Sequence, residues 1–175
     1  MELQETDLIE NKITNSGLVT IDLELLCHSG ERILFDLKNW LFRGIILKEK
    51  DFRAFIKNHD WTQYQNKNIA FYCSNDAIVP TWAYMLLAAA AQQYANRYIF
   101  GDLKQLEIVL YNDAIVQLNA NDYTDKRIII KGCSHHEMPV SAYVEISNKL
   151  LPVVKSLMYG EACSNVPIYK KNKNK

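Results

Sequence analysis

No stretch of this chain is apolar enough to cross a bilayer as a helix. The longest mostly apolar run, Ile78 to Ala91, carries Pro80 near its start and falls short of the ~20 residues that a spanning helix needs; it is predicted as a buried helix. Neither sign of charge is in excess, since 20 Lys and Arg balance 20 Asp and Glu, and no overall field draws the fold onto nucleic acid or an anionic membrane. The first residues, MELQETDLIENK, are acidic and lack the charged-then-apolar pattern of an export signal. A cytoplasmic protein with reduced thiols is therefore expected. Also missing are a Gly-rich phosphate loop, a Gly-x-Ser-x-Gly elbow and a Cys-x-x-Cys pair, so nucleotide use, hydrolase action and thioredoxin-like exchange lack their usual sequence support.

What is present is apolar mass. The chain has 175 residues, 49% of them hydrophobic, enough for one domain with a real core. The expected organisation is a flexible segment over 1–12, a single α/β domain over 13–169 and a disordered basic tail over 170–175. Leu18 to Leu26 alternates with period two and reads as a strand, and Ile33 to Leu37 returns after the turn HSGER as the second strand of an N-terminal hairpin. Lys48 to His59 is helical by pattern, with Phe52, Phe55 and Ile56 on one face.

From there the rhythm is regular. NIAFYC (Asn68 to Cys73), RYIFGD (Arg97 to Asp102) and RIIIKGC (Arg127 to Cys133) read as strands covered on both faces. Helices are predicted over Pro80 to Tyr94, Leu103 to Leu118 and Val140 towards Tyr159, the last kinked or split at Pro152 and capped by Gly160. Asp102 and Gln105 form a capping box. Strand and helix in alternation imply a layered α/β sandwich with a mainly parallel central sheet of about four to six strands, its three regular strands in the order second, first, third.

Ser directly follows three of the four cysteines, in CSNDAIVP at Cys73, CSHHEMP at Cys133 and CSNVP at Cys163. The first two extend to a common Cys-Ser, loop, Pro-x-x-Ala-Tyr pattern, a short internal repeat of strand, thiol, loop and helix N-terminus. In that strand order Cys73 and Cys133 end neighbouring strands, ~5 Å apart, at the crevice where open α/β sheets bind ligands. Cys163 folds back as a third ligand. Three thiolates suit zinc or an iron–sulfur cluster, with His135, His136, Asp76 or Asp102 as candidates for the fourth position. Asp102 also has the plain reading of an N-cap, and Cys27 lacks the Cys-Ser-Pro context. Each cysteine alone is also readable as a buried packing residue.

NSGLVTIDLE, GERILFDLKNWLFRGIILKEKDFR, HDWTQY, DAIVPTWAYMLL, FGDL, IIIKGCS and PVVKSLMYGEACS resemble the bacterial family known as domain of unknown function 2480, over about Ile13 to Tyr169. The resemblance implies family cysteines at Cys73, Cys133 and Cys163 and a link to the Suf pathway of iron–sulfur cluster assembly. The family pattern has Pro where this chain has Ala162 and lacks His135 and His136, which leaves Asp76, an external thiol or water as the fourth ligand. The leading expectation is a metal-binding accessory protein holding zinc or an iron–sulfur cluster through Cys73, Cys133, Cys163 and Asp76. Its partners would be iron–sulfur assembly proteins, without nucleic acid or membrane, and homo-oligomerisation is left open. The alternatives are a thiol or persulfide-handling enzyme and a non-catalytic interaction module with structural cysteines.

Overall fold

The computed structural model describes residues 17–26, 28–132 and 138–172. The chain divides into two compact units: a central unit, His28–Leu110, and a flanking unit formed by the chain up to Cys27 and from Tyr111 onward. The division falls inside a helix. Among the described residues no helix is long and apolar enough to cross a membrane.

The central unit is built on strands β2 (Arg32–Asp36), β5 (Asn68–Tyr72) and β6 (Arg97–Phe100), all parallel in the order β2-β5-β6, with a two-stranded antiparallel ribbon of β3 (Leu41–Phe42) and β4 (Ile46–Leu47). Helix α1 (Glu49–Asn58) links the ribbon towards β5, and α2 (Thr81–Ala91) crosses from β5 to β6. Helix α1 buries Phe52 and half-buries Phe55 and Ile56, while Lys50, Arg53 and Lys57 are exposed, as the amphipathic pattern predicts. Helix α2 buries Ala83, Leu87 and Ala91, four residues apart, so one narrow apolar face enters the core.

In the flanking unit a mixed sheet runs β1-β7-β8-β9, from β1 (Leu18–Asp22), β7 (Arg127–Lys131), β8 (Ser156–Glu161) and β9 (Ser164–Lys170). The first three are parallel and β9 turns back antiparallel on β8. Helix α3 (Leu103–Gln117) carries the unit division, and α4 (Val140–Leu150) crosses from β7 to β8. Asp102 and Gln105 make the expected capping box reciprocally, with N–H to oxygen distances of 2.9 and 2.8 Å.

The α/β reading stands, but the strand order does not. The neighbour expected beside β5 on one side was β7; that place is taken by β2, and β7 pairs instead with β1 and β8. The N-terminal hairpin does not form either, because β1 pairs with β7 and β2 with β5 in separate sheets, and after Asp22 and after Asp36 the chain leaves the sheet in a 3₁₀ turn. In each turn the aspartate side chain accepts an N–H two residues on, from Glu24 and Lys38, both at 3.0 Å.

The helix expected towards Tyr159 ends at Leu150, ahead of Pro152. Val154 and Leu157 are both buried, a spacing that a helix shares with the turn and strand actually present. Gly160 therefore lies in a strand, with φ +119°, where an added Cβ would meet the Ser164 carbonyl oxygen at 2.6 Å.

The two units are copies of one another. Residues fifty-nine apart occupy the same place: α2 and α4 start at Thr81 and Val140, β5 and β7 at Asn68 and Arg127, β6 and β8 at Arg97 and Ser156. Asn66 and Asp125 both turn the chain at positive φ, as do Gly101 and Gly160. Even single hydrogen bonds recur, Asn66 to Tyr94 matching Asp125 to Val153, and Asn96 to Lys67 matching Lys155 to Lys126. The buried sets agree as well, with Ala83, Leu87 and Ala91 against Ala142, Ile146 and Leu150. The Pro-x-x-Ala-Tyr part of the short repeat legible in the sequence, from Pro80 and Pro139, belongs to this duplication, whereas its two cysteines stand sixty residues apart.

Candidate binding site

The Cys73 loop of the central unit is a clasp. Asp36, at the end of β2, accepts from Ser74 Oγ at 2.6 Å and Ser74 N at 3.0 Å. Asn75 Nδ2 donates to the Gly44 carbonyl at 3.2 Å, and Ile78 N to the Ile45 carbonyl at 2.8 Å. The half-buried Cys73 packs on the core, and its thiol lies 3.5 Å from the Asn75 carbonyl. Ser after Cys thus ties the end of β5 to the end of β2, and Pro80 then opens α2. Burial alone would raise the Asp36 pKa, but the hydrogen bonds from Ser74 and Lys38 outweigh it and hold the carboxyl below its ordinary value.

A stability term follows with a definite sign. A carboxyl whose folded pKa is depressed contributes fully above its unfolded value of about 3.9 and loses that contribution as pH falls through the folded pKa. Ser74→Ala should destabilise the protein by about 1 kcal/mol at pH 7. The difference from wild type, followed by urea denaturation, should shrink below about pH 4. A difference that stays constant down to pH 2 would show that Asp36 is not the partner through which Ser74 acts.

The expected metal site is not formed. Among the described residues no group of three or more His, Cys, Asp or Glu side chains is placed to hold a metal ion, which overturns the zinc or iron–sulfur reading. Its physical basis fails at the strand order, since β5 and β7 belong to different sheets. Cys73 and the exposed Asp76 belong to the central unit, and Cys163 is exposed in the turn between β8 and β9 of the flanking unit. Cys133, His135, His136 and Cys27 lie outside the described residues. At the fifty-nine-residue spacing the counterpart of Cys73 is Gly132, not Cys133.

What the flanking unit has is a cleft of about 290 Å³. Ile130 of β7 and Leu157 of β8 line its inner wall, with Val140, Tyr143 and Ser147 of α4. Tyr159 and Met158 of β8 and Ile168 of β9 line it too. The Tyr143 and Tyr159 rings meet edge to face, centroids 5.7 Å apart, just as their counterparts Tyr84 and Phe100 do at 4.9 Å.

Comparison of the copies explains the opening. Where the cleft has Ile130 and Leu157, the central unit has Phe71 and Tyr98, whose rings pack with centroids 6.2 Å apart. Where the central unit has Cys73, the flanking unit has Gly132, and a Cβ there would run into the Tyr143 hydroxyl. Beyond Gly101 the central unit enters α3, whereas beyond Gly160 the flanking unit makes β9, which adds Ile168 as a further wall. Periodicity marked these residues only as core. The one signal within reach of the sequence was the repeat itself, extended past the cysteine loops until large residues faced small ones.

The class is thus an internally duplicated α/β protein with an apolar cleft in its flanking copy. The family described as "Protein of unknown function (DUF2480)" matches residues 7–171, and the chain belongs to it. No curated protein and no solved structure matches the chain.

Proposed function

We propose that this protein is a binding module that holds an apolar group in the cleft of its flanking unit, with the Cys73 loop serving as structural support. The observation carrying this reading is the replacement of Phe71 and Tyr98 by Ile130 and Leu157 at equivalent places in the two copies. A core of native density has little reason to leave such space, since unfilled apolar volume is destabilising. The central copy of the same scaffold puts two aromatic rings at the matching places. Balanced charge supplies no field that would draw the protein to nucleic acid or an anionic membrane.

The test uses the duplication as its own template. Ile130→Phe combined with Leu157→Tyr gives the flanking unit the side chains that the central unit already accommodates. Wild type should bind the neutral naphthalene dye prodan saturably at one site, with a rise in dye fluorescence, and the double variant should bind at least about twentyfold more weakly, a loss of about 1.8 kcal/mol. Far-UV circular dichroism and the melting temperature should show that the variant is folded. Undiminished one-site binding in a folded double variant would remove the cleft from the proposal.

A further inference from the structure

We infer that the cleft's ligand is an uncharged, flat aromatic group of about two fused rings; this rests on the binding reading above and specifies its chemistry. Size comes first. The volume of about 290 Å³ is roughly twice the ~150 Å³ apolar cavity that accommodates benzene. One ring would leave space unfilled, and dispersion contacts would be lost along one side.

Charge comes second. None of the described lining residues carries a charge, so a carboxylate or ammonium pushed inside would give up its hydration with no ion among them to pair with. Ser147 does not change this, because its hydroxyl already donates to the Tyr143 carbonyl at 2.7 Å within α4. Shape comes third. Tyr143 and Tyr159 stand at 76° to one another, and aromatic rings favour such edge-to-face neighbours over aliphatic ones of equal area.

Access needs no rearrangement. Val140 is 76% exposed, Ile168 56% and Tyr159 46%, so three of the lining side chains already face solvent and form the mouth. The central copy cannot offer the same chemistry at the matching place, where the Phe71 and Tyr98 rings themselves stand.

The experiment is competition against prodan on the full-length protein with three probes of similar size: 2-naphthol, 2-naphthoate and n-decanol, with the pH held at 7. 2-Naphthol should displace the dye at the lowest concentration. 2-Naphthoate should be at least about tenfold weaker because its carboxylate is ionised, and n-decanol about three- to tenfold weaker for want of ring contacts. Tyr159→Leu should reduce the preference for naphthol over decanol without abolishing displacement by decanol. Decanol or naphthoate competing as well as naphthol would overturn the inference while leaving the cleft a binding site. Failure of prodan and all three probes to bind wild type would overturn the binding reading itself.

Discussion

Phe35→Ala is expected to remove about 3–5 kcal/mol of stability from the central unit, the range for truncating a buried aromatic ring. Phe35 is 5% exposed and stands at the centre of an aromatic cluster. Trp40 stacks on it with centroids 4.8 Å apart and planes at 8°, and Trp61 lies nearly parallel at 6.1 Å. Phe55, Tyr64 and Phe71 also surround it, at 6.2, 6.2 and 5.8 Å. A methyl group in its place leaves all five without a partner on one side, and rings held by strands and helices cannot collapse inward to meet it. Because the three tryptophans, Trp40, Trp61 and Trp82, all belong to the central unit, tryptophan fluorescence in urea reads that unit selectively. A loss below about 1 kcal/mol would show that the cluster relaxes around the gap. His59 gives a second reading. Its ring packs edge-on against Phe35 at 6.1 Å, and burial lowers its pKa despite the opposing pull of Asp60; opening the cluster should move that pKa back up, visible in a proton NMR titration.

The second large effect concerns Asn68, the buried polar side chain among the described residues. Its Nδ2 donates to the Ser29 and Gly30 carbonyls at 3.1 and 3.4 Å, and its Oδ1 accepts from Asn96 Nδ2 at 2.9 Å. The amide thereby joins the entry to β2, the start of β5 and the approach to β6. Asn68→Leu should cost about 2–4 kcal/mol, because the partners are left unsatisfied in a place that water does not reach. Asn68→Asp should be at least as damaging at pH 7, where the new carboxylate faces two carbonyl oxygens. Its sign with pH is opposite to that of Asp36. A carboxyl whose folded pKa is raised binds its proton more tightly in the folded state, so stability should recover as pH falls through that value. Urea midpoints between pH 8 and pH 4 would decide it, and a flat profile would show that the carboxylate escapes to solvent.

The local features of this fold were written in short stretches of chain. The α1 face of Phe52, Phe55 and Ile56, the Asp102–Gln105 capping box and the apolar runs that became β5, β6 and β7 depend on residues within about one helical turn or one strand. Such signals do not need a tertiary partner to be read. The Cys-Ser-loop-Pro repeat was also visible, although only its Pro-x-x-Ala-Tyr part keeps the fifty-nine-residue spacing of the two copies. Matching Cys73 to Cys133 followed letters that are one residue out of step, since Pro139 lies six positions after its Cys and Pro80 seven, while the two strand-to-helix loops are equally long.

Only the tertiary structure decided which strands meet. Leu18 pairs with Arg127 and Arg32 with Asn68, and nothing within either apolar run distinguishes these partners from others, since parallel pairing is set by how whole faces pack against their helices and not by a local turn. Strand order in turn settled the cysteines, dividing into two sheets the strands that a shared metal site required to be neighbours. The cleft was out of reach for the same reason. Ile130 and Leu157 look like any core residues in sequence, and the space beside them exists because their neighbours come from β7, α4, β8 and β9. An empty volume is a property of several elements at once, so it has no signature in any one of them.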